Sequence, residues 1–229
     1  WFSIFLSNSS NNNISGNNVD NSQEGIVVRG SSDHNINGNT VNNNNKTGIQ
    51  FYTSQGSDII GNTITANMGY GIRFRSDSSD NFVSENYIAN SSIGILVDDS
   101  FDNRIIGNMI TENSDWGMQL TGSQNNNMIY HNSFVNNNAK EEGLQVSIPS
   151  GRGNVWDNGT AGNYWSDYIT RYPNASEIGS SEIGDTPFYI NENNIDHYPL
   201  MQPATIPEFS SWTAVLLSLA TFTVALAIC

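Results

Sequence analysis

Three residues with the chemistry to bind a polysaccharide recur at one place in a repeating sequence pattern. Tyr52, Arg75 and Asp98 each lie four residues after a regularly spaced glycine. The neighbouring repeats hold Arg29 and Thr121 at the same place. An aromatic ring can stack on a sugar, an arginine can bond to a uronate or a hydroxyl, and an aspartate accepts hydrogen bonds from hydroxyls. We therefore interpret Tyr52, Arg75 and Asp98 as candidate glycan-binding residues.

The same residues also permit a structural role. An exposed ion pair between Arg75 and Asp98 would join two repeats and contribute under about 1 kcal/mol, and this is the simpler interpretation. Glycoside hydrolysis needs two carboxyl groups, one of them kept protonated by burial. Asp98 and Asp99 are adjacent, so on a strand they would point to opposite faces, which leaves Asp77 with Asp99 as the pair to consider. No catalytic residue is assigned.

The glycines that define this place mark an internal repeat. Each follows the previous one by 23 residues and opens an alternation of apolar and other residues, which predicts a short strand with one buried face. The glycines are Gly25, Gly48, Gly71, Gly94 and Gly117, and the apolar pairs are Ile26 and Val28, Ile49 and Phe51, Ile72 and Phe74, Ile95 and Val97, and Met118 and Leu120. We expect the glycines at a corner where φ is positive or where backbones approach closely.

Three further columns complete each repeat. Two are apolar, formed by Ile36, Ile59, Val83, Ile105 and Ile129 and by Val41, Ile64, Ile88, Ile110 and Phe134, and between them lies a column of Asn39, Asn62, Asn86, Asn108 and Asn132. Such short strands bury an apolar face only when stacked, at about 4.8 Å per coil. The sequence thus predicts an all-β fold, a right-handed parallel β-helix of roughly seven coils. We interpret the asparagines as structural, hydrogen-bonding from coil to coil.

Charge and cysteine content narrow the function. Acidic residues outnumber basic ones 22 to 8, and a net charge of −14 repels nucleic acid. The single cysteine, Cys229, is the last residue, so no disulfide forms within the chain. Trp1 falls in mid-pattern, and we therefore expect the coil array at 1–147 to be N-terminally incomplete.

The sequence after the coils becomes rich in aromatic residues. An open end of a solenoid needs a cover, and we place a C-terminal cap at 148–203. Its aromatic residues are expected to form the cap core rather than a sugar-stacking platform; they are Trp156, Tyr164, Trp165, Tyr168, Phe188 and Tyr189.

The last 26 residues differ again. A linker at 204–211 precedes an apolar segment at 212–229, in which Ala214 through Ile228 carries no charge. Trp212 would be an interfacial anchor for a segment nearly long enough to cross a bilayer, which needs about 20 residues. The segment predicts a C-terminal transmembrane helix or sorting signal, and the protein's partner there would be the cell membrane.

Motifs in the cap carry a family resemblance. The 23-residue coils followed by Gly162–Tyr168 (GNYWSDY), Ile183–Ile190 (IGDTPFYI) and Asp196–Met201 (DHYPLM) resemble the NosD-type β-helix proteins, also called carbohydrate-binding and sugar-hydrolase (CASH) proteins, especially archaeal surface members. The linker, with Ile206-Pro-Glu-Phe, is similar to the PEF-type sorting signal of exported archaeal proteins.

The resemblance implies a membrane-anchored protein at the cell surface, acting as a non-catalytic scaffold or as a glycan-binding or adhesion module. Its partners would be surface polysaccharides or cell-envelope proteins. The alternative it implies is a polysaccharide-active lyase or hydrolase. Archaeal members often carry a calcium-like loop where this chain has Asn174 to Glu182, a stretch poorer in carboxylates, and we assign no cofactor. Copper-site maturation is the least favoured function, because His34, His131 and His197 are scattered.

Overall fold

The computed structural model describes residues 1–122, 126–138, 144–150 and 153–203. The chain winds through three parallel sheets of seven, six and seven strands, each strand pairing with the equivalent strand one coil away. The predicted parallel β-helix is therefore confirmed.

Sheet 1 contains the longer strands, and all strands are numbered in chain order. It comprises β1 (Phe2–Ser7), β4 (Glu24–Arg29), β7 (Thr47–Tyr52), β10 (Tyr70–Arg75), β13 (Ile93–Asp98), β16 (Trp116–Thr121) and β19 (Val146–Ser147). Sheet 2 comprises β2 (Asn13–Ser15), β5 (Asn35–Asn37), β8 (Asp58–Ile60), β11 (Phe82–Ser84), β14 (Arg104–Ile106) and β17 (Met128–Tyr130).

Sheet 3 lies beyond the next corner. It comprises β3 (Asn18–Asp20), β6 (Thr40–Asn42), β9 (Thr63–Thr65), β12 (Tyr87–Ala89), β15 (Met109–Thr111), β18 (Ser133–Val135) and β20 (Tyr164–Trp165). The cap adds a short helix, α1 (Tyr168–Arg171), and an antiparallel hairpin of β21 (Phe188–Asn191) and β22 (Asn194–Asp196). Because β20 extends sheet 3, the cap continues the solenoid before closing it.

The apolar columns read from the sequence form the core. Ile72 pairs in register with Ile49 and Ile95, and each of the three is fully buried. The columns of sheets 2 and 3 are equally buried, down to Phe134 at the last coil. Similar side chains stack in register, so every coil buries an apolar residue at the same position. For this reason the 23-residue period is visible in the sequence.

The glycine column marks close approach of backbones. A Cβ on Gly94 would lie 2.5 Å from the carbonyl oxygen of Gly117, and one on Gly71 would lie 2.6 Å from that of Gly94. Positive φ occurs instead at other corners, for example at Gly61, Ala66 and Thr53, one residue after a strand ends. Of the two reasons expected for these glycines, the structure therefore supports the steric one.

Each left-handed corner residue precedes a polar residue that points inward. Asn62 follows Gly61, Asn67 follows Ala66, and such residues form four ladders, which are buried from the second coil onward. The Asn86 side chain shows the pattern: its Oδ1 accepts from the backbone N–H and the amide of Asn62, both at 2.9 Å, and its amide donates to Asn108 at 2.9 Å. The structural interpretation of the asparagine column is confirmed.

The predicted linker at 204–211 and transmembrane segment at 212–229 lie outside the described residues. Within the described residues, no helix is long and apolar enough to cross a membrane. The boundaries at 147 and 203 stay predictions.

Candidate functional site

The outward face of sheet 1 brings the predicted glycan-binding residues together. Arg29, Tyr52, Arg75, Asp98 and Thr121 occupy one register position on five successive strands. Side chains alternate between the two faces of a strand, so these five side chains point outward, away from the buried apolar residues. The structure thus places the three candidates on adjacent strands, while their binding role stays a prediction.

Tyr52 is sandwiched between two guanidinium groups. The Cζ of Arg29 lies 5.3 Å from the centroid of its ring and the Cζ of Arg75 lies 5.2 Å from it, one from each neighbouring coil. Each contact is a cation–π interaction. Tyr52 thus orients the two arginines, and its predicted stacking on a sugar stays a prediction.

Asp98 forms its ion pair with a residue that the sequence reading missed. Nη2 of Arg73 lies 3.4 Å from Oδ2 of Asp98, and the Thr121 hydroxyl donates to Oδ1 at 2.9 Å. The ion pair expected between Arg75 and Asp98 is replaced by this one, because the Arg73 side chain reaches across from the adjacent outward column. The guanidinium of Arg73 also lies 4.9 Å from the ring of Tyr70. Arg73 stands two residues after a repeat glycine, a second outward position that the sequence could have revealed.

Two arginine nitrogens on this face lack an acceptor. Among the described residues, the Nε atoms of Arg73 and Arg75 are buried and have no hydrogen-bond partner. Both residues point outward from β10, two positions apart. A buried donor without an acceptor costs about 1–3 kcal/mol, more when it is charged. The face therefore carries two guanidinium groups that would attract an anionic group.

The two carboxylates at the edge of this face are exposed. Asp77 and Asp99 occupy left-handed turn positions after β10 and β13, and both side chains are exposed. The carboxyl of a general acid is usually kept protonated by burial. The pair that the sequence left for consideration lacks that feature.

Metal ligation has little support in the described part of the chain. No group of three or more His, Cys, Asp or Glu side chains gathers there in a way that could hold an ion. In the stretch compared with a calcium loop, Glu177 accepts from the N–H of Glu182 at 2.7 Å. The N–H of Ser176 donates to Asp185, which lowers the pKa of that carboxyl. These carboxylates stabilise the loop itself.

The cap motifs end the asparagine ladder. Asn163 accepts from Asn132 as a further rung, and its own N–H donates to Oδ2 of Asp196 at 2.7 Å. Asp196 also accepts from the indole of Trp165 at 2.9 Å and from the N–H of Tyr198 at 3.1 Å. Burial raises the pKa of Asp196 to about 6, helped by the nearby charge of Asp157. The ladder thus ends on a buried carboxyl.

A second ladder also ends in the cap. The amide and backbone N–H of Asn137 donate to Oε1 of Gln145, both at 3.0 Å, and Gln145 donates to Asp167 at 3.1 Å and to Ser166 at 2.8 Å. Burial raises the pKa of Asp167. The aromatic core of the cap is a stack in which Trp165 lies 4.7 Å from Phe134 and 4.3 Å from Phe188. Of the six aromatic residues predicted to form the cap core, four are buried and Tyr164 is partly buried, but Tyr189 is 48% exposed and lies outside the core.

The geometry defines the class of protein as a parallel β-helix with a capped C-terminal end and a basic, aromatic outward face. A family model described as a right-handed beta helix region matches residues 2–165, and the chain belongs to that family. A crystal structure of a mutant of the periplasmic alginate epimerase AlgG is similar, with a TM-score of 0.56 and 22% identity. The similarity covers 65% of this chain and 40% of that one, and at this identity it establishes the fold alone. No curated protein matches the chain.

Proposed function

We propose that this protein is a polysaccharide-recognition module that binds an acidic glycan on the outward face of sheet 1. The observation that carries the proposal is the pair of buried Nε–H groups of Arg73 and Arg75, which have no acceptor among the described residues. Carboxylates of a uronate chain would bond to the two guanidinium groups that carry them. Charge-assisted bonds of this kind are about twice as strong as neutral ones.

The distribution of charge supports an acidic ligand at this face. The whole chain has a net charge of −14, and its long-range field repels anions. Three of its eight lysines and arginines nevertheless lie within two neighbouring columns of one face, namely Arg29, Arg73 and Arg75. Tyr52 and Tyr70 hold these guanidinium groups in place, which lowers the entropy lost when a ligand binds.

The cellular setting of the proposal comes from the family resemblance. We place the module at the outside of the cell as a NosD-type surface protein, with the segment 212–229 as its membrane tether. Asp77 and Asp99, the carboxylates at the edge of the face, are exposed, which favours recognition or adhesion over cleavage. Cell-envelope polysaccharide is then the expected partner.

A polysaccharide-active enzyme is the second candidate. It is favoured by the likeness in fold to an alginate epimerase, since alginate is itself an acidic polysaccharide. In that case Asp98, bridged to Arg73, would be the nearest carboxylate to a bound chain. Binding and turnover must therefore be measured together.

The test measures binding of the full chain to acidic and neutral polysaccharides. We expect acidic glycans to bind, and Arg73→Ala or Arg75→Ala to weaken binding about 10- to 100-fold, from the loss of one charge-assisted bond. Arg104→Ala is the matched control, because Arg104 packs over the ring of Phe82 at 4.9 Å on sheet 2 and should leave binding unchanged.

The same samples distinguish the alternatives. Release of reducing or unsaturated ends, or a change in sugar stereochemistry seen by NMR, would establish the enzyme in place of the recognition module. An equal loss in the Arg104→Ala variant would mean that binding is nonspecific electrostatic attraction. No binding of any acidic glycan would overturn the proposal.

A further inference from the structure

A cleft lies where the last coil meets the cap, at the corner that leads into β19, the last strand of sheet 1. It has a volume of about 600 Å³ and is lined by eight residues, which are Asn136, Asn137, Leu144, Gln145, Ser166, Asp167, Thr170 and Arg171. Small-molecule sites in proteins usually measure about 300–1,000 Å³. The cleft is large enough for a monosaccharide or a short oligosaccharide.

The cleft contains a carboxyl oxygen that the protein leaves unsatisfied. Oδ1 of Asp167 accepts from Gln145 at 3.1 Å, but Oδ2 is buried and has no hydrogen-bond partner among the residues that the structure describes. Arg171, one helical turn later, donates instead to the carbonyl oxygen of Tyr189 at 2.7 Å. A buried polar atom without a partner is uncommon in folded proteins and indicates a missing ligand or water.

The charge of the cleft favours an uncharged ligand. Asp167 and Arg171 contribute one negative and one positive group, and the other lining side chains are neutral. The remaining polar groups include the exposed Asn136 amide and Thr170 hydroxyl, and Leu144, 39% exposed, adds an apolar surface. A sugar ring combines hydroxyl donors and acceptors with an apolar face, and so matches all of these groups.

We propose that this cleft is a second binding site, which takes a neutral saccharide whose hydroxyl donates to Oδ2 of Asp167. The site is independent of the acidic-glycan site on sheet 1. The pKa of Asp167, raised by burial, is consistent with a carboxyl that depends on a hydrogen-bonding ligand. The ligand chemistry differs between the sites, because the arginine nitrogens of sheet 1 require acceptors and Asp167 Oδ2 requires a donor.

The experiment titrates the full chain with methyl glycosides of glucose, galactose and mannose and with N-acetylglucosamine, following saturation-transfer NMR. We expect at least one sugar to bind, and Asp167→Asn to weaken it at least tenfold. The substitution is nearly isosteric: the amide oxygen can still accept from Gln145, while the amide nitrogen replaces the unsatisfied acceptor. Glu192→Gln makes the same chemical change at an exposed carboxyl of the hairpin and should have no effect.

Further variants separate folding and the other site from the proposal. Thr170→Trp would fill the cleft mouth and should also abolish binding, and thermal melts of every variant report whether the cap stays folded. If Arg75→Ala abolishes neutral-sugar binding and Asp167→Asn does not, the sugar binds on sheet 1 and the cleft proposal is wrong. No binding of any sugar, or preferential binding of methylammonium, would also overturn it.

Discussion

The asparagine ladder looks different in the coils and in the cap. In the coils each rung is an amide: Asn86 receives two hydrogen bonds from Asn62 and passes its own to Asn108. In the cap the next rung after Asn163 is a carboxyl, Asp196, which accepts and passes nothing on. An amide both accepts and donates, so a ladder of amides can extend by any number of coils. A carboxylate only accepts, and a ladder that reaches it stops.

The difference explains why the cap motifs are specific while the coil sequence is permissive. A coil corner needs only a left-handed residue followed by an inward amide or hydroxyl, and Gly61, Glu85 and His131 all serve as the left-handed residue at one corner. The cap residues each have several tasks. Trp165 stacks in the core and donates to Asp196, and Gly162 leaves room for that same carboxyl.

The largest expected effect is in the cap. Trp165→Ala would remove two stacked ring contacts and the indole donor of Asp196, and we expect it to lower the free energy of unfolding by about 5 kcal/mol. Phe74→Ala is the coil counterpart, because among the described residues Phe74 stacks only on Phe51, at 5.2 Å, and it should cost about 3 kcal/mol. Urea denaturation measures both. Equal losses would show that the cap is no more interdependent than a coil.

The next effect tests the ladder within the coils. Asn86→Ala would leave the N–H groups of Asn62 without their acceptor and the carbonyl oxygens of Ile59 and Ser84 without a donor, and we expect a loss of about 4 kcal/mol. Asn17→Ala, at an exposed end rung, should cost under about 1 kcal/mol because water replaces the lost partners. A small loss at both positions would mean that the ladder contributes little to stability.

The coils could be predicted well from the sequence. Because the coils stack in register, the same position must be apolar in every coil, and apolar residues therefore recur at a fixed spacing. The five apolar pairs, both further apolar columns and the asparagine column all lie where the 23-residue spacing placed them. The cap could not be read in the same way. Asn163 comes 31 residues after Asn132 and Asp196 another 33 after that, so insertions hide the last rungs from any search for a period.

The sequence predicted where the candidate site residues lie, but not which residues they contact. Register alone put Tyr52, Arg75 and Asp98 on adjacent strands. Arginine side chains are long enough to cross between columns, however, so Arg73 pairs with Asp98 and two guanidinium groups lie against the ring of Tyr52. The spacing of the strands alone does not determine which neighbouring residue a long, flexible arginine side chain contacts.

The next effect separates the two kinds of glycine. Gly94→Ala would place a methyl group 2.5 Å from the carbonyl oxygen of Gly117, and we expect a loss of about 3 kcal/mol. Gly107→Ala should cost about 1 kcal/mol, because it has open space and differs only in its left-handed φ of 69°. Thermal melts of both variants measure the difference. A larger loss at Gly107 would show that φ, rather than close approach, limits the coils.

The smallest expected effect concerns the titration of Asp196, the buried carboxyl at the end of the ladder. The pKa of Asp196 is about 6 in the folded protein and 3.8 in an unperturbed aspartate, so between these values the folded state binds more protons than the unfolded state. The free energy of unfolding should therefore fall by about 2 kcal/mol through this group as pH rises from about 4 to 7. Other groups titrate in that range, so the measurement is the difference between the native chain and Asp196→Asn, followed by urea denaturation across the pH series. The amide rungs of the coils do not titrate, and Asn86→Ala should leave the pH slope unchanged. If the free energy of unfolding depends on pH equally in the native chain and in Asp196→Asn, then Asp196 titrates normally and the end of the ladder makes no pH-dependent contribution to stability.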